Sequence, residues 1–335
     1  MYSGDNPVSG FGACIFGCEE PQLRPDERDF FREVRPFGFI LFARNIVDSE
    51  QVIRLCAELR ESVGHDAPIL IDQEGGRVQR VRAPLATDWP APLEHVQAAG
   101  DKAARIMYLR YRLIAHELLA LGIDANCTPM VDVARAETHE FLKTRCYGDD
   151  PAQVAHIGRA VADGLMHGGV LPVLKHIPGH GRSVLDTHFD LPFVTASEAE
   201  LEADFAPFCA LNDLPMGMTA HLVFEAFDKE APATLSPVMM QLIRDRIGFG
   251  GLIMTDDISM EALSGTVPER SARAIAAGCD VVLHCNGLLP EKIKVAEASG
   301  RMGEAAQARA EAVLTARKTP DEVDIEALTA ELKAF

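Results

Sequence analysis

Eight short apolar runs, separated by longer amphipathic segments, place the strongest constraint on how this chain of 335 residues folds. The runs have the composition of buried strands, and the segments between them have the periodicity of helices. In chain order the runs are GACIFG (12–17), GFILF (38–42), PILID (68–72), DANCTPMVDV (124–133), LPVLKHI (171–177), MGMTAHLVF (216–224), GLIMTDD (251–257) and CDVVLHC (279–285). Near-continuous hydrophobic strands joined by helices indicate a parallel sheet, and eight βα units predict a closed (β/α)8 TIM-type barrel of the α/β class.

Signals for helix boundaries between the runs support this architecture. Asp150 followed by proline predicts a helix that ends near Gly168, and Thr195 with Glu198 predicts a capping box at another helix start. The tail from about Lys318 predicts a terminal amphipathic helix, a C-terminal extension that we expect to cover the barrel. An open doubly wound sheet is the alternative, but the first βα turn, FGCEEPQLRP, lacks the G-x-G-x-x-G phosphate loop of that fold.

Composition narrows the classes of partner. A formal net charge of −18 argues against nucleic-acid binding, which needs a basic surface. No apolar stretch reaches membrane-spanning length, and the N-terminus lacks the basic region of a secretion signal. The eight cysteines stand apart rather than in a disulfide framework, so we expect reduced thiols in a cytoplasmic protein. The oligomeric state stays open.

Polar and charged side chains recur where the apolar runs end. Catalytic groups of a (β/α)8 barrel lie at the C-terminal ends of its strands, so we expect these residues to share one pocket. Buried strands exclude charges unless something pairs with them, which makes coincidence at several strands a poor explanation. The candidates are Asp72, Asp132, Lys175, His176, His221, Asp256 and Asp257.

Several candidates also have a structural alternative. Asp72 and Asp132 could each be structural, by capping the next helix or bonding loop amides; function is favoured for Asp72, and the two explanations are even for Asp132. His221 could be a satisfied core histidine. Arg80 and Arg145 could be partners in surface salt bridges. Because side chains alternate along a strand, we expect only one residue of the Asp256 and Asp257 pair to face the pocket.

Three segments together resemble a known family: IDQEGGRVQRV (71–81), KHIPGHGRSVLDTHFDLP (175–192) and GLIMTDDISM (251–260). They are similar to the bacterial β-N-acetylglucosaminidases of glycoside hydrolase family 3, the single-domain cytoplasmic type that recycles cell-wall muropeptides. The resemblance covers nearly the whole chain and implies one barrel domain of the family's N-terminal type over 1–335. Ile177 and Thr187 stand where family members often have Phe and Ser, and both changes keep the side-chain character.

The resemblance also implies a role for each site residue. Many relatives take their acid, a glutamate, from a second domain, for which this chain ends too early; the similar single-domain enzymes use the histidine of D-[ST]-H, here His188. Asp186 is its implied partner, because residues i and i+2 of an extended loop face the same side. The first aspartate of T-D-D, Asp256, is the implied nucleophile. The residues implied to bind the terminal sugar are Asp72, Arg80, Arg145, Lys175 and His176.

The expected reaction is retaining hydrolysis of a terminal β-linked N-acetylglucosamine through a covalent glycosyl-enzyme, with no cofactor and no metal. The implied substrate is N-acetylglucosamine joined to 1,6-anhydro-N-acetylmuramic acid, with or without a peptide, in peptidoglycan recycling. An aromatic content of 6% favours a small exo-acting pocket over a long stacking cleft. PGHG (178–181) predicts a flexible loop that closes over the sugar, with His180 shaping it.

Three alternatives stay open. A zinc site could be assembled from His176, His180, His188, His221 and Asp256, although the Pro-Gly pair between His176 and His180 prevents them from sharing a helix face. A noncatalytic sugar-binding barrel is the second alternative, but binding alone needs no nucleophile beside an acid. Phosphate in place of water as the acceptor would make the enzyme a phosphorylase, and a histidine acid/base adds no negative charge to repel it.

Overall fold

The computed structural model describes residues 10–185 and 191–335. Its strands are β1 (Gly12–Gly17), β2 (Pro36–Leu41), β3 (Ile69–Ile71), β4 (Gln73–Gly75), β5 (Val78–Gln79), β6 (Ala125–Asn126), β7 (Leu171–Ile177), β8 (Phe193–Val194), β9 (Met216–Thr219), β10 (Val223–Phe224), β11 (Leu252–Met254) and β12 (Val282–His284). Its α-helices are α1 (Pro25–Val34), α2 (Ser49–Val63), α3 (Pro92–Ala99), α4 (Ala103–Ala120), α5 (Glu140–Lys143), α6 (Pro151–His167), α7 (Glu198–Ala210), α8 (Pro237–Asp245), α9 (Val267–Ala277), α10 (Leu289–Ser299), α11 (Glu304–Ala316) and α12 (Ile325–Lys333). Short 3₁₀ helices lie at Ala43–Asn45, Gly100–Lys102 and Ala233–Leu235.

Eight of these strands form a parallel barrel in the order of the chain. The sheet runs β11-β9-β7-β6-β3-β2-β1-β12, and its neighbouring strands are parallel. A further parallel bridge between Met254 and Val281 joins the two ends of the sheet. This bridge makes a ring of the sheet, which confirms the predicted (β/α)8 barrel and excludes the open doubly wound sheet.

The predicted strand positions are confirmed, but two of the long runs yield short strands. The runs 12–17 and 171–177 match β1 and β7 residue for residue. The run 124–133 gives only β6, because Pro129 has no N–H to donate, and pairing with β7 returns as a single bridge at Met130. The run 216–224 divides into β9 and β10, and β10 pairs with β8 outside the barrel.

Side chains of alternating direction divide the core into two layers. One layer lies between the strands and the surrounding helices, and the other fills the barrel interior with residues such as Ile15, Leu70 and Val173. Helix α11 closes the end where the strands begin: Val313 packs into the interior cluster. The N–H of Phe11 donates to Oε1 of Gln307, which lies on α11, at 2.9 Å. Helix α11 ends before the predicted C-terminal extension, in which α12 is the helix.

The helix signals are confirmed in part. Helix α6 follows Asp150, whose carboxylate accepts from a first-turn N–H at 2.8 Å, and Gly168 is its C-cap. The capping box predicted at Thr195 is wrong: α7 begins after Ser197, whose N–H donates to Glu200 at 2.9 Å. The helix starts there because Ser197 and Glu200 form a capping box of their own. Helix α12 lies within the predicted tail and packs on α4, with Glu331 accepting from α4 at 2.8 Å. None of the described helices has the length and hydropathy to cross a membrane.

Candidate active site

A cavity of about 220 Å³ opens at the C-terminal ends of the barrel strands. Part of its wall comes from interior barrel residues, including Ile40 and Met218. The predicted site residues that line it are Asp72, Arg80, Arg145, Lys175, His176 and Asp256. The fold thus brings these six residues together. Of the other candidates at strand ends, Asp257 also lines the cavity, whereas Asp132 and His221 do not.

Asp256 presents its carboxylate to this cavity from the end of β11. The N–H of Asp257 donates to its Oδ1 at 2.8 Å, and its Oδ2 lies 4.0 Å from Nε2 of His176. The side chain keeps 24% of its surface exposed. Burial raises the pKa of Asp256, but the charges that His176 and His221 can carry outweigh it, and the net pKa lies below the usual range. The carboxylate is therefore ionised at neutral pH.

The neighbouring carboxylate, that of Asp257, accepts hydrogen bonds on both of its oxygens. Its Oδ1 accepts from the N–H groups of Ser259 at 3.1 Å and Cys285 at 3.2 Å, and its Oδ2 accepts from Asn286 at 3.2 Å. Atoms of both aspartates line the cavity, so the prediction that only one faces it is too strict. The carboxylate of Asp256 is the one left open, since Asp257 is only 9% exposed and fixed on both oxygens.

The β4–β5 hairpin carries Arg80 back over the end of β3. Gly75 and Gly76 adopt φ values of 110° and 59°, which allow the tight return that a side chain would strain. The N–H of Arg80 donates to Gln73 at 3.0 Å, and its guanidinium donates to Asp72 at 3.1 Å. Arg80 is therefore part of the cavity wall and not a surface salt-bridge partner.

A buried carboxylate that the sequence prediction missed, Glu74, organises the other cations. Its Oε1 lies 2.7 Å from Nζ of Lys175, and both its oxygens accept from Arg145, at 2.8 and 2.9 Å. Lys175 also donates to Asp72 at 3.0 Å. Arg145 is buried, so the surface alternative is wrong for it too. The sequence does contain a signal for this residue, the glutamate of QEGG. It directly follows a buried strand, and a buried carboxylate requires a cation as its partner.

These contacts keep all members of the cluster charged. Burial raises the pKa of Glu74, but Arg145 and Lys175 outweigh it and hold the pKa at about 2. The pKa of Asp72 is also below its usual range, because Lys175 and Arg80 offset burial. Burial lowers the pKa of Lys175, but Asp72 and Glu74 raise it further, above the usual range. The cavity wall is a network of ion pairs, and these pairs hold its hydrogen-bond donors and acceptors in fixed positions.

Asp132, for which the sequence left function and structure equally open, supports two histidines from below the cavity. Its Oδ2 accepts from Nδ1 of His176 at 2.7 Å, and its Oδ1 accepts from the N–H of His180 at 2.6 Å. Asp132 is fully buried. Burial raises its pKa, but His176 outweighs this and the pKa is lowered. The carboxylate fixes the ring of His176 so that Nε2 is turned towards Asp256.

The loop after β7 is packed where it leaves the barrel. His180 is buried, its ring lines the cavity, and its Nδ1 has no hydrogen-bond partner among the described residues. Burial lowers the pKa of His180 to about 3, so the imidazole is neutral. Gly181 lies against Val133, whose carbonyl oxygen would be 1.8 Å from an added Cβ. Residues 178–181 therefore pack against the barrel, and closure of the loop over the sugar stays a prediction.

The predicted acid His188 and its partner Asp186 lie outside the described residues. His221 is the satisfied core histidine of the structural alternative: Nδ1 lies 2.7 Å from Oγ1 of Thr234, and Nε2 lies 3.1 Å from the carbonyl of Asp257. Within residues 10–185 and 191–335, no three His, Cys, Asp or Glu side chains are placed to hold a metal ion.

A (β/α)8 barrel with an open carboxylate in a small polar cavity at its strand ends is the arrangement of a barrel glycosidase. Residues 24–316 match the family described as "Glycosyl hydrolase family 3 N terminal domain". A "Beta-hexosaminidase" of Tolumonas auensis is 36% identical over 281 residues, which are 81% of each chain. A family 3 beta-N-acetylglucosaminidase from Paenibacillus superposes with a TM-score of 0.85 at 29% identity, covering 96% of this chain and 66% of that one. NagZ from Neisseria gonorrhoeae, in complex with N-trifluoroacetyl-D-glucosamine, gives a TM-score of 0.83 at 30% identity, covering 97% of this chain and 98% of the other.

The chain belongs to glycoside hydrolase family 3, within which it groups with the bacterial β-N-acetylhexosaminidases. The family predicted from the sequence is confirmed. Members of the family hydrolyse glycosides with retention of configuration by double displacement, so the protein is a retaining glycoside hydrolase.

Proposed function

We propose that this protein is an exo-acting β-N-acetylglucosaminidase that removes terminal β-linked N-acetylglucosamine from muropeptides ending in 1,6-anhydro-N-acetylmuramic acid. The observation that carries the proposal is the open, ionised carboxylate of Asp256 in a small cavity lined by paired charges. The N-acylated glucosamine bound to the Neisseria relative supports the choice of sugar. A cavity of about 220 Å³ favours a single terminal sugar over a polymer cleft.

Five residues bind the terminal sugar in this proposal, through charged groups already fixed by their partners. Sugar hydroxyl groups both donate and accept, so alternating carboxylates and cations match a ring of hydroxyls. Because Glu74 and Asp72 neutralise the cations, the sugar does not have to compensate a bare buried charge. The five residues are Asp72, Arg80, Arg145, Lys175 and His176.

Asp256 is the nucleophile in the first displacement. One carboxylate oxygen attacks C1 of the sugar, a C1–O ester bond forms, and the bond from C1 to the leaving oxygen breaks. His188 transfers a proton to that oxygen, and Asp186 holds the imidazole. The N–H of Asp257 fixes one oxygen of Asp256 at 2.8 Å, which limits its rotation and favours attack by the other.

Water completes the reaction in the second displacement. Neutral His188 takes a proton from a water molecule, whose oxygen attacks C1 while the ester bond to Asp256 breaks. The sugar leaves with its configuration retained, and Asp256 returns to the ionised form. A histidine with a pKa of about 6.5 can serve both steps near neutral pH.

We further propose that one barrel domain over 1–335 carries this activity and that the protein works in the cytoplasm, in peptidoglycan recycling. The cysteines support this compartment, because all eight are free thiols and seven of them are buried. Free thiols are typical of a reducing environment.

Product analysis tests the proposal. The protein would be incubated with a purified muropeptide in buffers with and without phosphate, and the products would be identified by NMR. We expect β-configured N-acetylglucosamine in both buffers. The 1-phosphate of the sugar would show that phosphate is the acceptor, and the α-anomer as the first product would contradict the retaining mechanism.

A further inference from the structure

A buried carboxylate outside the cavity, Asp204 of α7, binds two arginines from two different loops. Its Oδ2 accepts from Nε of Arg182 at 2.6 Å, and its Oδ1 accepts from Nη2 of Arg135 at 2.5 Å and from Nε of Arg135 at 3.2 Å. The side chain of Asp204 is 5% exposed. None of these three residues takes part in the mechanism above.

Both arginines lie on segments that leave neighbouring barrel strands at the catalytic end. Arg182 stands five residues after the end of β7, and Arg135 lies between β6 and α5. Two further bonds connect the same segments. The hydroxyl of Thr138 donates to the carbonyl of Gly181, and the N–H of His139 donates to Ser183 at 2.9 Å.

Arg182 connects this cluster to the chain segment that carries the proposed acid. It lies four residues before Asp186 and six before His188, so it is the last charged anchor on the way into the segment that carries the proposed acid. Charge-assisted bonds to arginine are short and directional, and they fix geometry more firmly than neutral bonds do. A displacement of about 1 Å at a catalytic group costs about 100-fold in rate.

We propose that Asp204 is a positioning residue for proton transfer: by holding Arg182 against Arg135, it fixes the arm of chain that delivers His188 to the leaving group. The inference rests on the proposed function, in which His188 is the acid and base. Without the carboxylate, two like charges face each other across the gap, and the arm loses its anchor on α7.

A purely structural role is the competing explanation, and the barrel contains a matched control for it. Asp280, at the start of β12, is also a buried carboxylate between two arginines, accepting from Arg244 at 2.7 Å and from Arg309 at 2.8 Å. It lies at the end of the barrel where the strands begin, away from the cavity. Asp280→Asn should therefore destabilise the fold without touching proton transfer.

The test compares kcat/KM on a substrate that needs an acid, an N-acetylglucosaminyl disaccharide, with kcat/KM on one that does not, a dinitrophenyl N-acetyl-β-glucosaminide. General acid catalysis is worth about 10²- to 10⁴-fold, and loss of positioning should remove part of it. We expect Asp204→Asn to lose at least about tenfold on the disaccharide and less than about threefold on the aryl glycoside. Asp280→Asn should change both values equally. Adding Asp204→Asn to His188→Ala should change kcat/KM by less than about twofold.

Equal losses of Asp204→Asn on both substrates, or an additive loss in the double variant, would overturn the inference and make Asp204 a structural anchor. If Asp204→Asn does not fold, Arg182→Met removes one bond from the cluster and should show the same discrimination between the substrates. The two proposals fail in different ways. If His188→Ala itself shows no dependence on the leaving group, the proposed function is wrong; if only the Asp204 and Arg182 variants lack it, only the inference is wrong.

Discussion

Substitution of Glu74 by Gln should both destabilise the barrel and lower its activity, because Glu74 is the shared partner of two buried cations. Lys175, which is 2% exposed, and Arg145 both bind its carboxylate within 2.9 Å. Glutamine keeps the shape of the side chain but removes its negative charge. Its amide NH2 group would also face the N–H donors of Lys175 or Arg145. Leaving one side of a buried ion pair uncompensated costs about 3–5 kcal/mol.

This free energy converts into a melting shift that can be measured. An unfolding entropy of about 2.1 cal/mol/K per residue gives about 0.7 kcal/mol/K for a chain of 335 residues, so we expect Tm to fall by about 4–7 °C. We also expect kcat/KM to fall by at least about tenfold, because Lys175 and Arg145 would lose their fixed positions at the sugar. Calorimetry and steady-state kinetics at a temperature where the variant is folded would measure both effects.

Glu27 provides the control for this prediction. It is fully buried and accepts from Lys292 at 2.6 Å, outside the cavity lining. Glu27→Gln should lower Tm by a similar amount and leave kcat/KM within about twofold of the wild type. An unchanged Tm for Glu74→Gln would refute the argument that its ion pairs hold the wall together, and full activity would refute their role in fixing the sugar-binding cations.

Three other predictions concern the nucleophile, the sugar-binding cations and a buried histidine. Asp256→Ala should fold normally, by its circular dichroism and Tm, and lose nearly all turnover; near wild-type activity with a dead Asp257→Ala would reverse the two assignments. Lys175→Ala and Arg80→Ala should each lower kcat/KM by about 10- to 150-fold, equivalent to about 1.5–3 kcal/mol per charged hydrogen bond, and unchanged kinetics would assign them to structure alone. The pKa of His180 is lowered to about 3 in the fold, so its contribution to stability is present above the unfolded pKa of about 6.5 and is lost as pH falls from there towards 3. His180→Gln should remove about 1.4 kcal/mol per pH unit from the slope of the unfolding free energy in that range, and an unchanged slope in denaturant titrations would contradict this.

The fold was predictable where apolar runs are unbroken and less so where they contain a breaker. The run GACIFG contains no proline to interrupt its backbone hydrogen bonds, and its bounds coincide with those of β1. In DANCTPMVDV the apolar pattern continues through Pro129, but β6 ends at Asn126 and its pairing with β7 returns only as a single bridge at Met130. The start of α7 lies at Ser197 and not at Thr195, because Ser197 and Glu200 offer a second capping box two residues further along the chain.

The site was predictable to the extent that barrel topology brings strand ends together. The predicted topology placed Asp72, Lys175 and Asp256 in one cavity, although these residues are far apart in the chain. Partners of the site residues were not predictable, because they depend on side-chain packing across the barrel. Glu74 meets Arg145 over a separation of 71 residues, and nothing in the neighbouring sequence of either indicates the other.

The most direct test of the central claim is to trap the glycosyl-enzyme on the His188→Ala variant. With a dinitrophenyl N-acetyl-β-glucosaminide, the first displacement needs no acid, while the second lacks its base, so the ester should accumulate. Stopped-flow measurement should show a burst of dinitrophenol equal to the enzyme concentration. Peptide mapping by mass spectrometry after an acid quench should locate one N-acetylglucosaminyl group on Asp256. The absence of a burst, or a label on Asp257 or any other residue, would contradict the assignment of Asp256 as nucleophile and His188 as acid and base.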